Sequence, residues 1–142
     1  MKNKKFGTLV PDWFVSEEIK QVIEENQLTG ISFGEQVKDY KGRDMEPYYS
    51  VCINSVLPPL SKETWLIPYG DICNVCGRET IYLRSDLHYE SEKLVNAKDF
   101  NITMEYMDNY DIPSIVISAN ARKAFLKARI RPYHHVIPVT LL

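Results

Sequence analysis

The chain contains no apolar run approaching the ~18 residues that a membrane-spanning helix needs. Its basic start, Met1 to Lys5, leads into Phe6-Gly7-Thr8-Leu9-Val10-Pro11 rather than into the ~7–15 apolar residues of a secretory signal. Neither a membrane partner nor signal-directed export is therefore expected, and a cytoplasmic setting is. Cysteine is scarce as well. Three residues, an odd number, exclude a disulfide framework and leave free thiols or metal ligands. Net charge is nearly absent: a formal −2 removes the bulk attraction that favours nucleic acid, although a local basic patch is still allowed. Signatures of catalysis are missing too. There is no Gly-x-Ser-x-Gly, His-Glu-x-x-His, phosphate-binding loop or dinucleotide fingerprint. His134 and His135, adjacent in an expected strand, would face opposite ways. No catalytic residue is assigned, and the chain reads as a binder and not as an enzyme.

What is present describes one folded domain over residues 1–142. At this length a chain buries roughly two thirds of the surface its unfolded form exposes. With 44% hydrophobic and 25% charged residues, its composition is that of a globular protein. Ser16 is placed to cap a helix, Glu17 and Glu18 suit the positive end of its dipole, and Ile19, Val22 and Ile23 form an apolar stripe. Thr29-Gly30 is the expected stop. A second helix starts at Ser118, with Ala121, Ala124, Phe125 and Ala128 as its stripe. Between the helices, period-2 alternation marks strands at Tyr48–Val56 and Asp99–Tyr106, and shorter ones at Glu79–Arg84 and Ser114–Ile117; His134–Leu141 reads as a last strand. The expected fold is α+β, mainly antiparallel, with amphipathic helices over about 16–27 and 118–129. Aligning Ser16 with Ser118 pairs Ile19 with Ala121, Val22 with Ala124, Ile23 with Phe125 and Leu28 with Ile130. That echo suggests either two similar capped helices or a duplicated strand–helix–strand unit whose helices cover one sheet.

The sharpest motif is Cys73-Asn74-Val75-Cys76-Gly77. Two thiolates two residues apart can share one tetrahedral zinc, and the glycine lets the loop turn tightly. A strand pattern follows, whereas a thioredoxin-type site would open a helix. Zinc wants four ligands, and Cys52 and His88 would complete a Cys52, Cys73, Cys76, His88 set. The other readings are a reduced structural pair, with Cys52 a small core residue, and a redox role.

Charge is unevenly spread. Residues 86–111 hold seven acidic and two basic residues, and residues 122–131 hold five basic and no acidic ones. The acidic stretch carries tyrosines, so a surface made of Asp86, Tyr89, Glu90, Glu92, Tyr106, Asp108, Tyr110 and Asp111 is the candidate partner site. Arg122, Lys123, Lys127, Arg129 and Arg131 either complement the helix dipole or meet phosphate.

Several of these pieces together resemble a known group. They are Phe14-Val15-Ser16-Glu17-Glu18-Ile19, Leu28-Thr29-Gly30-Ile31-Ser32-Phe33, the Cys-x-x-Cys-Gly, Asp99-Phe100-Asn101-x-Thr103-x-Glu105, Ile117-Ser118 and Ile137-Pro138-Val139. The group is the bacterial immunity proteins of polymorphic toxin systems, related to the double-CXXCG motif family. That family carries two Cys-x-x-Cys-Gly units and this chain carries one. The resemblance implies a protein that binds a cognate toxin and covers its active site. The alternative is a zinc-knuckle domain that binds nucleic acid or regulates.

Overall fold

The computed structural model describes residues 6–9, 12–108, 112–131 and 137–142, and only the backbone of 6–9, 12 and 45–47. β1 (Phe6–Leu9) pairs antiparallel with β2 (Asp12–Ser16), and β2 runs straight into α1 (Glu17–Glu25). Ser16 is extended (φ −73, ψ 160) and stands at the cap position, but its hydroxyl makes no cap bond and is buried without a partner. Ile19, Val22 and Ile23 are buried, so the apolar stripe faces inward as its spacing requires. α1 ends at Asn26 and Gln27. Gln27 is left-handed (φ 50), and the Leu28 amide donates to the Ile23 carbonyl at 3.0 Å.

The stop is therefore Gln27 and not Thr29-Gly30. Gly30 (φ 85) serves close approach instead. A Cβ there would collide with the Phe100 carbonyl and lie 2.6 Å from Lys98 Cβ. Beyond it, β3 (Ser32–Lys38) and β4 (Asp44–Cys52) complete a four-stranded sheet in the order β1-β2-β4-β3. Both β2 and β3 run antiparallel to β4, so they are parallel to each other with α1 as their connection. On β4 the expected alternation holds: Val51 is buried and Cys52 is exposed.

The chain then builds smaller sheets. β5 (Leu66–Pro68) and β6 (Ile81–Leu83) form an antiparallel hairpin. β7 (Leu87–Tyr89) precedes a 3₁₀ turn at Ser91–Leu94, and β8 (Phe100–Ile102) pairs antiparallel with β9 (Ile115–Ile117). α2 (Ala119–Lys127) follows, and β10 (Val139–Leu141) pairs parallel with β7. The expected strand from His134 is seen from Val139; its start, including His134 and His135, lies outside the described residues.

The echo between the helices is real down to the hydrogen bonds. Both have nine residues. In α2, Arg129 (φ 56) takes the place of Gln27, and the Ile130 amide donates to the Phe125 carbonyl at 3.0 Å. Ala128 to Ala124 and Arg129 to Leu126 repeat the bonds of Asn26 to Val22 and Gln27 to Glu24. The strands do not repeat. β2 and β3 flank β4, whereas β9 and β10 belong to separate sheets, so the helices do not share one duplicated sheet. The two caps differ as well, since Ser118 does accept from the Ala121 amide, at 3.0 Å.

Two apolar clusters result. The larger joins Val15, Ile19, Val22, Ile23, Leu28, Val51 and Ile53 to Phe100, Ala121, Ala124, Phe125 and Ile130, so α1 packs on the large sheet and on α2. The smaller holds Leu57, Leu87, Tyr89 and Met107, covered by Leu66, Ile81 and Leu83 of the hairpin. β9 serves both: Ile115 and Ile117 pack on the first cluster and Val116 on the second. Among the described residues no helix is long and apolar enough to cross a membrane. The chain is a small single-domain α+β protein.

Candidate binding face on the cysteine-tipped hairpin

Register and parity build this face. In the β5–β6 hairpin Leu66 opposes Leu83, Ile67 opposes Tyr82 and Pro68 opposes Ile81. Leu66, Leu83 and Ile81 point to the smaller core. By alternation Trp65, Ile67, Tyr69, Tyr82 and Arg84 point the other way. Trp65 is 62% exposed and Tyr69 57%. The Tyr69 and Tyr82 rings lie 4.8 Å apart, and the Arg84 guanidinium sits 5.4 Å from the Tyr82 ring centre. Large apolar and aromatic side chains grouped outside a core are what distinguishes a contact surface from ordinary exposure. The face is anchored from behind: Trp65 N–H donates to Ser85 Oγ at 2.9 Å, and the Arg84 amide donates to the Trp65 carbonyl.

The hairpin tip is the cysteine motif. The Tyr69 amide donates to Thr80, the Cys73 amide to Arg78 and the Gly77 amide back to Cys73, which closes the turn. Gly77 has φ 68, in open space. The amides of Cys76 and Val75 and the Cys76 thiol hydrogen-bond the Cys73 sulfur; with Arg78 nearby they draw its pKa below the ordinary thiol value, against a small desolvation cost. Both cysteines are exposed, and Val75 between them is 95% exposed.

The four-ligand set expected around this motif does not assemble. Among the described residues no three of His, Cys, Asp and Glu come together as metal ligands. Cys52 lies on β4 and donates to Asn54 Oδ1 at 3.0 Å. It is exposed, so it is not the core residue of the other reading either. His88 lies on β7, with Nδ1–H donating to the Asp86 carbonyl at 2.8 Å. Cys73 and Cys76 alone stay together, because one turn holds both.

The acidic stretch divides in two. Tyr89 is wholly buried and cannot anchor a partner. Burial, and then the charge of Glu105, push its phenol well above the ordinary range. Glu90 is half-buried and paired with Lys93 at 2.6 Å. Asp86, Glu92 and Asp108 are exposed, and Tyr106 is partly so. Three of these adjoin the hairpin. Arg78 lies 4.0 Å over the Tyr106 ring, Asp108 Oδ1 accepts the Leu83 amide, and Asp86 follows Ser85. Tyr110 and Asp111 lie outside the described residues.

The other half is scaffold that the charge count did not reveal. Asp99 accepts the Thr29 amide (2.9 Å) and hydroxyl (3.0 Å) on Oδ2, and Ser118 (2.6 Å) and Asn120 (3.2 Å) on Oδ1. It thus ties the end of α1 to the start of α2. Buried Asn101 accepts from Ser55 and the Lys98 amide and donates to the Lys98 and Val116 carbonyls. Thr103 donates to the Glu105 carbonyl and accepts the Ser114 amide, and Glu105 accepts the Leu60 amide. The alternating polar residues from 99 to 105 therefore form an internal spine.

Two shallow depressions lie elsewhere. One is lined by Ser32, Phe33, Gly34, Ser50, Val51 and Cys52, the other by Ser55, Val56, Leu57, Pro58 and Lys93 among others. Each holds one titratable side chain, Cys52 or Lys93, and so neither gathers an acid–base pair. Compared with protein families, characterised proteins and solved structures, the chain matches none.

Proposed function

We propose that this chain works by binding another protein, as an immunity protein that covers the active site of a cognate bacterial toxin. One observation carries the binding role: the exposed hairpin face of Trp65, Ile67, Tyr69, Tyr82 and Arg84. Trp, Tyr and Arg are the residue types that dominate interface energetics, and here they share one side of a backed hairpin. Tyr106, Asp108 and Asp86 form an acidic edge to it, with Glu90 and Glu92 further along the chain. Such an edge suits a basic toxin cleft and speeds encounter. The toxin as partner rests on the sequence resemblance.

The test is co-expression with the toxin domain encoded in the adjacent reading frame, with affinity measured by calorimetry. Wild type should restore growth. Trp65→Ala with Tyr69→Ala should weaken binding by about a hundredfold, roughly 3 kcal/mol, without lowering the melting temperature. Asp86→Lys with Glu92→Lys should slow association mainly at low salt. Unchanged affinity in the aromatic double variant would remove the hairpin from the interface.

Nucleic-acid binding is favoured by a different feature, the exposure of Arg122, Lys123, Lys127, Arg129 and Arg131 on and after α2. It would appear as RNA or DNA affinity that falls steeply with salt and drops when Arg122 and Lys123 become glutamine.

A further inference from the structure

We propose that Cys73 and Cys76 form half of a tetrathiolate zinc site that a second copy of this chain completes, hairpin tip to hairpin tip. The half-site is already built. One turn, closed by the Cys73–Arg78 and Gly77–Cys73 backbone bonds, holds both sulfurs together. Both sulfurs are exposed at the tip, open to a bound ion. Two thiolates satisfy half of zinc's tetrahedron, and closed structural sites take four protein ligands.

Among the described residues no third ligand joins Cys73 and Cys76, and a second copy of the chain can supply the missing pair. Such a copy brings two more thiolates with the same spacing, through a two-fold contact in which each tip is the other's complement. The surroundings allow such an approach. A Cβ at Gly70 or Gly77 would meet nothing within 4 Å, so neighbouring side chains do not crowd the backbone there. Ile72 and Val75 stand exposed beside the sulfurs and would be covered between the two tips. Arg78 on each copy offsets part of the negative charge of four thiolates around one Zn²⁺. Coordination changes no oxidation state. Each thiol gives its proton to buffer as its sulfur binds, four per ion. The site does not depend on what the neighbouring aromatic face binds.

The experiment uses the full chain, stripped with a chelator under reductant and titrated with Zn²⁺, and separately with Co²⁺ as an optical probe. Metal content, Co²⁺ absorption and mass by light scattering are read together. The expected result is one ion per two chains, conversion of monomer to dimer, and a cobalt spectrum with thiolate charge-transfer bands and tetrahedral ligand-field bands. Cys73→Ser and Cys76→Ser should each abolish retention and dimerisation, whereas Cys52→Ser should leave both intact. The tip is open, so metal-free melting temperatures of the serine variants should match wild type, which separates ligand loss from misfolding. One ion per monomeric chain, no retention through gel filtration, or a dimer indifferent to the serine changes would each overturn the site.

Discussion

Asp99 shows how much one carboxylate can organise. Partial burial pushes its pKa up, but hydrogen bonds from Ser118, the Thr29 amide, Asn120 and the Thr29 hydroxyl outweigh that and hold it below the ordinary aspartate value. A depressed folded pKa means stability that is present above the unfolded value, about 3.9, and is lost as pH falls through the folded value. Asp99→Asn should therefore destabilise at pH 7, by about 1–2 kcal/mol after allowance for partial exposure. The gap to wild type should close below about pH 4, where wild type protonates too. Denaturant melts from pH 7 to 3 check this, and a gap independent of pH would show that the charge is not what holds the two helices. Tyr89 makes the opposite case. Its hydroxyl is buried without a partner, so Tyr89→Phe should be neutral or stabilising by up to about 1 kcal/mol, whereas Tyr89→Ala should cost about 3–5 kcal/mol as a core cavity. Toxin affinity measured on the phenylalanine variant should not move. A large loss would return Tyr89 to the interface despite its burial.

At the scale of elements, both helices end on a left-handed residue that is not glycine, Gln27 and Arg129. Glycine at such a position carries no Cβ penalty. Gln27→Gly and Arg129→Gly should each stabilise by about 0.5–1 kcal/mol, roughly 2–4 °C in melting temperature, and additively, since they sit in separate caps. A loss in either would mean that the side chain carries a contact worth more than the strain. These helices were legible in the sequence to within two residues at each end, because a serine at each start and an apolar stripe mark them, although α1 stops at Gln27 rather than at Thr29-Gly30. The inward parity of Val51 was legible too, but the bounds of its strand were not: alternation placed it at Tyr48–Val56, and β4 runs four residues earlier, from Asp44 to Cys52. Of the three-residue strands, β6, β8, β9 and β10 lie inside expected strands that proved shorter than alternation suggested, whereas β7 was not legible. β7 sits inside an acidic stretch, and its partner β10 lies some fifty residues away, so nothing local marks Leu87 and Tyr89 as core. The same distance effect misassigned the spine: Asp99, Asn101 and Thr103 alternate like a solvent-facing row, but Thr29, Ser55 and Ser114 arrive from elsewhere to satisfy them. The hairpin face did leave a trace, since Trp65, Ile67 and Tyr69 share parity around Pro68. Reading it as a surface required knowing that Leu66, Ile81 and Leu83 are claimed by the core behind.

At the scale of the molecule, two apolar clusters are joined by one central strand, and that junction decides whether they melt together. β9 sends Ile115 and Ile117 into the larger cluster and Val116 into the smaller, and β8 adds a parallel bridge from Ile102 to Val56 just before Leu57 of the smaller cluster. Either cluster alone would leave half of β9 uncovered, so loss of one exposes apolar surface of the other. The two tryptophans report on the two sides separately. Trp13 packs on the larger cluster, and Trp65 stands on the hairpin over the smaller one. In Trp13→Phe and Trp65→Phe variants, each with a single emitter, urea unfolding followed by fluorescence should give coincident midpoints and slopes, matching the far-ultraviolet dichroism of each variant. Val116→Ala should then shift both reporters equally, by about 1 kcal/mol or more for the lost methyl groups, although the side chain itself touches only the smaller cluster. If Trp65 reports an earlier transition than Trp13, the hairpin and its core open as a unit of their own. The binding face would then be carried by the less stable part of the fold, and ligand or metal at the tip would raise that transition selectively.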